Sequence, residues 1–122
     1  MVDPIRFRTD VDKIKEELTS QLRSLNSIIK DYQTDIADSY VTEYSFVDHD
    51  KLLNRSLKRD IIKWTLSLIE DHENILYVHL HVVNRICRHR HYSHYENVVE
   101  KYDMAELKSL AYVLSVMTER IN

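Results

Sequence analysis

The chain has no glycine, a single proline and a single cysteine, and each shortage closes off a class of proteins. Phosphate-cradling loops, dinucleotide fingerprints and strained nucleophile elbows all depend on glycine, because they need positive φ angles or a very close backbone approach. Tight primed hairpin turns depend on it too, which argues against an all-β fold. Cys87 has no second cysteine to pair with, so no internal disulfide is possible and nothing in the sequence asks for an oxidising compartment. Long apolar runs are also missing: nothing approaches the ~20 residues that span a bilayer, and Met1 to Arg8 carries no apolar signal core. A cytoplasmic location without membrane contact is the expectation.

What is present suits a folded domain. Of 122 residues, 43% are hydrophobic and 30% charged, which is a globular balance, and the length fits one helical domain over residues 1–122. The formal net charge of -3 is unevenly spread. Residues 1–50 hold six Lys/Arg against eleven Asp/Glu, and residues 51–95 hold eight against four. An acidic and a basic segment in one chain attract each other within the fold, attract a second copy, or leave a basic face for an acidic partner.

From Thr9 to Asp38, Val11, Ile14, Leu18, Leu22, Leu25, Ile29, Tyr32 and Ile36 recur at spacings of three and four, which predicts one long amphipathic helix. Thr9 or Asp10 suits its N-cap, with Asp12, Glu16 and Glu17 in the first turns. Residues 1–8 read as an extended arm and 39–48 as an extended connector, where Tyr40, Thr42, Tyr44 and Phe46 alternate with other residues. Asp48 or Asp50 would cap a second helix carrying Leu53, Leu57, Ile61, Trp64 and Leu68, with a turn around Asn74. Between Ile75 and Tyr92 strand alternation competes with a helical face of Leu76, Leu80, Val83 and Cys87; without glycine turns or a sheet to join, helix is favoured. Ser93 to Glu96 and Asp103 to Glu106 both resemble capping boxes and predict two further helix starts, the second followed by Leu107, Leu110, Leu114, Met117 and Ile121. The expected fold is an all-α bundle of four or five helices built on a long N-terminal helix.

The most unusual stretch is Arg85 to Tyr95. Five of the seven histidines lie between His79 and His94, and no acidic residue occurs from Asn74 to Tyr95. Arg85, Arg88, Arg90, His91, Tyr92, His94 and Tyr95 combine phosphate-neutralising and base-stacking side chains, the footprint of an RNA, single-stranded DNA or other polyanion surface. The competing reading has the arginines paired with the acidic first helix. On a continuous helix Cys87, His91 and His94 would also share a face as weak metal candidates, but no paired Cys-x-x-Cys or His-Glu-x-x-His accompanies them. No metal or cofactor is expected.

In size and helical content the chain is similar to small helical RNases of the HEPN type. On that resemblance Arg85 with His91, or Arg88 with His94, each an Arg-x5-His pair, would orient a phosphate and move a proton. The residue straight after the arginine is Ile86 or His89 rather than the usual polar one.

With no catalytic motif in place, the sequence favours a non-catalytic helical protein-interaction or regulatory module. A first helix of about 40 Å exceeds what a small bundle requires. Leu18, Leu22, Leu25, Ile29, Tyr32 and Ile36 are therefore the expected self-association stripe, with a homodimer the expected state and another protein or a nucleic acid the alternative partner.

Overall fold

The first helix begins where an aspartate can cap it. Asp10 Oδ1 accepts a hydrogen bond from the Lys13 backbone N–H at 3.3 Å, and its carbonyl accepts from Ile14 N–H at 3.1 Å, so the free amides of the first turn are met locally. From that cap α1 runs over Val11–Ser39. The computed structural model describes residues 5–39, 46–72, 74–92 and 97–120. Over these, α1 is followed by α2 (Phe46–Asp71), α3 (Ile75–Tyr92) and α4 (Asn97–Met117), and two three-residue strands, β1 (Ile5–Phe7) and β2 (Thr118–Arg120), stand at the two ends. The fold is an all-α bundle, with four helices among the described residues.

α2 and α4 form its central pair, α1 packs mainly on α2, and α3 packs mainly on α4. That arrangement explains the composition of α2. A helix touched from several sides buries more than one stripe, and Leu57, Ile61, Ile62, Thr65 and Ile69 are all buried. Around them lie Ile14, Leu18, Leu25 and Ile29 of α1, Ile75, Val78 and Val82 of α3, and Leu110, Val113, Val116 and Met117 of α4. The buried hydroxyls of Thr65 and Ser109 donate to the carbonyls of Ile61 and Ala105 four residues back, at 2.9 and 2.8 Å. Among the described residues no buried side-chain nitrogen or oxygen lacks a partner.

The arm at residues 5–7 is extended as expected, but its partner is the far end of the chain. β1 pairs antiparallel with β2, Ile5 opposite Arg120 and Phe7 opposite Thr118. Arg8 locks this clasp onto α4. Its backbone N–H donates to Met117 O at 2.9 Å, and its guanidinium donates to Val116 O at 3.1 Å and to Glu17 Oε1 at 3.0 Å. A cation on the last carbonyls of a helix is favoured by hydrogen bonding and by the helix dipole together.

Several boundaries differ from the expectation. Ser39 is still in α1, and α2 starts at Phe46, so Phe46, Val47 and Asp48 are helical rather than extended and neither Asp48 nor Asp50 begins the helix; residues 40–45 lie outside the described residues. Asp103 to Glu106 starts nothing. α4 runs through it, since no glycine or proline interrupts 97–117 and adding a turn to an existing helix is far easier than nucleating another. The Ser93 to Glu96 pattern lies outside the described residues. α4 ends at Met117, where Thr118 to Arg120 pair with β1 instead of carrying the apolar stripe on to Ile121.

Candidate functional site

Asn74 sets α3. Its side-chain oxygen accepts from Leu76 N–H at 3.0 Å and its carbonyl from Tyr77 N–H at 3.0 Å, an N-cap that turns the chain back after α2. From that start Ile75, Val78 and Val82 face the core, with Ile86 packed at its edge. The helical face of Leu76, Leu80, Val83 and Cys87 therefore points elsewhere, about a third of a turn away. Leu76 is 50% exposed, Leu80 52% and the neighbouring Tyr77 57%, while Val83 is half-buried and Cys87 is exposed. The segment is helical as expected, and the reason this face lies outside is geometric: two apolar stripes compete for one core, and the one nearer α2 and α4 takes it.

The expected self-association stripe on α1 lies largely against the chain's own core. Leu18, Leu25 and Ile29 are buried inside the chain's own core, so they cannot meet a second copy. Leu22 packs against the same core, Tyr32 is half-buried beneath the Arg55 guanidinium at 5.2 Å, and the Ile36 side chain lies outside those described. α1 is partnered within the chain, since it packs on α2, a helix of 26 residues against its 29.

The basic stretch divides. Arg85 is committed to the fold: its Nε donates to Glu106 Oε1 at 2.6 Å, its Nη2 reaches the same oxygen, and its plane lies over Trp64 at 4.6 Å. Its carboxylate thus comes from α4 rather than from the acidic first helix. Arg88 is exposed and makes no ion pair among the described residues. The side chains of Arg90, His91 and Tyr92, and all of His94 and Tyr95, lie outside those described. Among the described residues no group of three His, Cys, Asp or Glu side chains is placed to hold a metal.

The histidine side chains among those described are His72, His79 and His81. His79 is half-buried with its ring edge-on to Phe7, and burial pushes its pKa below the ordinary 6.5. His81 is exposed, in ring contact with His72 at 5.2 Å, and Tyr77 lies 6.1 Å from His72 on the same turn. Just before this turn Glu70 and Asp71 are both exposed. The outward side of α3 thus carries an apolar stripe with carboxylates at its beginning and the Arg88 cation towards its end.

The members of this stripe, Tyr77 apart, are the residues whose spacing marks a helical face in the sequence, which does not say whether that face turns inward or outward. The available signal was an excess: Ile75, Val78 and Val82 already form a complete inner face, so a second apolar set on the same helix had to lie elsewhere. No helix among the described residues is long and apolar enough to cross a membrane. No protein-family model, curated protein or solved structure matches the chain.

Proposed function

We propose that this chain is a non-catalytic association module that pairs with a second copy of itself through the outward face of α3, the two helices running antiparallel. The observation that carries this is the exposure of Leu76, Tyr77 and Leu80 side by side on one helix. Three large apolar side chains at half exposure amount to about 300 Å² per copy, a patch of the size found at functional surfaces. Area alone does not choose the occupant.

Spacing and charge do. Leu76, Leu80, Val83 and Cys87 follow one another at four, three and four residues, a sequence of intervals that reads the same in both directions. Under a twofold axis across the helix, Leu76 meets the partner's Cys87 and Leu80 meets the partner's Val83, the reciprocal matching of an isologous interface. The same axis brings the Glu70–Asp71 turn of one copy towards Arg88 of the other, and none of these three charges has an ion pair within the chain among the described residues. A parallel pair would set the two Arg88 side chains together instead, a like-charge contact.

Cysteine cross-linking tests both pairing and direction. Residues 76 and 87 lie about 16 Å apart along one helix, too far for a disulfide within the chain. Mild oxidation of Leu76→Cys should therefore yield a covalent dimer through the native Cys87 of a second copy, while the unaltered chain stays uncross-linked. A Cys87–Cys87 dimer in the unaltered chain, or no cross-link in Leu76→Cys, overturns the proposal.

A further inference from the structure

A groove of about 380 Å³ opens between α1, α2 and α4, on surfaces to which α3 contributes nothing. Its walls bear Arg55, Lys58 and Lys108, with Asn54, Gln21 and Tyr112 as neutral polar groups, and among the described residues no carboxylate lines it. Arg6, Arg8, Lys13, Arg59 and Arg85 each lie against an Asp or Glu, whereas none of the three groove cations has an ion pair among the described residues. Two of the three groove cations, Lys58 and Arg55, rest on aromatic rings. Lys58 Nζ lies 4.0 Å from the centre of the Tyr112 ring, and Arg55 Cζ lies 5.2 Å from that of Tyr32.

Lys58 feels both its burial and its cationic neighbour. Its ammonium is half-buried and its pKa is pushed below the ordinary 10.5, first by burial and then by the neighbouring Arg55. The Tyr112 hydroxyl pKa is raised first by burial and then by the charge of Glu17, a carboxylate already held by Arg8. Like charges on concave walls concentrate a positive potential where a small anion would sit. A phosphate group matches the set best: it carries close to two negative charges at neutral pH and several strong acceptor oxygens, suited to a guanidinium fork and two ammonium groups. The volume falls at the small end of ligand pockets, enough for a phosphate and a modest organic group.

We propose that this groove is a binding site for the phosphate of a small phosphate ester, held by Arg55, Lys58 and Lys108. The site is independent of self-association, since it lies away from the outward face of α3.

Thermal unfolding with inorganic pyrophosphate at constant ionic strength tests it. The expected result is a saturable rise in Tm of about 5 °C at ten times Kd. Lys58→Gln and Lys108→Gln should each weaken binding about tenfold or more, while Arg88→Gln and Leu80→Glu keep it. Lys108 is exposed, so its replacement tests the site without touching the core. A rise of equal size in every variant marks general stabilisation by an excluded salt and overturns the proposal, as does no rise at all. A lipid headgroup offers the same phosphate chemistry. Sedimentation with vesicles containing phosphatidic acid, lost in Lys58→Gln, assigns that source; pyrophosphate binding without co-sedimentation assigns a free ester.

Discussion

Replacing Arg85 by Gln should destabilise the fold. Glu106, its partner, has a side chain only 7% exposed, whereas that of Arg85 is 31% exposed, so the pair is closed on one side and open to water on the other. A hydrogen bond to a charged group contributes about 1.5–3 kcal/mol, and the open side places this one in the lower half of that range. Loss of the guanidinium from the Trp64 ring adds about 0.5 kcal/mol. The expected cost is thus about 2 kcal/mol, or a fall in Tm of about 8 °C for a domain of this size. Urea unfolding of Arg85→Gln, Glu106→Gln and the double variant measures it, with a coupling of about 1 kcal/mol or more between the two sites. Arg88→Gln, at an exposed residue without an ion pair among the described residues, should stay within about 0.5 kcal/mol of the unaltered chain. If Arg85→Gln behaves like Arg88→Gln, or the two changes simply add, Arg85 does not hold α3 to α4.

Leu18→Ala should cost about 3 kcal/mol, because it opens a cavity at a fully buried position, and Leu25→Asp should prevent folding; a folded, merely dissociated Leu25→Asp would return α1 to the interface. His79 adds a pH dependence of known sign. With its folded pKa depressed, stability is complete above about 6.5 and declines as pH falls, since the unfolded chain takes the proton first, until the folded imidazole is protonated as well. Melts between pH 7.5 and 5 should therefore show a shallower decline for His79→Gln than for the unaltered chain, and identical slopes would mean that the ring is not buried against Phe7.

What the sequence made legible was local. Val11 through Ile36 keep one interval pattern for seven turns, and Asp10 and Asn74 are cap residues of the right chemistry, so α1 and the turn before α3 were readable from neighbours along the chain. The β1–β2 pairing was not, because Phe7 and Thr118 are brought together only after four helices have packed, and two three-residue segments carry no pattern of their own. The side of α3 that turns inward was hidden for a related reason: Ile75, Val78 and Val82 are no more apolar than Leu76, Leu80 and Val83, and the surfaces of α2 and α4 decide between them. Arg85 shows the same limit. Its carboxylate, Glu106, lies in a stretch that resembled a helix start, so only the continuous α4 reveals it as a core-facing partner 21 residues away.

The claim that α3 turns an apolar face outward to receive a second copy is tested most directly by the mass of the protein in solution. Sedimentation equilibrium at tens of micromolar should give twice the 14.7 kDa of one chain for the unaltered protein, and a single chain mass for Leu80→Glu with its helical circular dichroism intact. A monomeric unaltered chain, or a Leu80→Glu variant that remains a dimer, would contradict it.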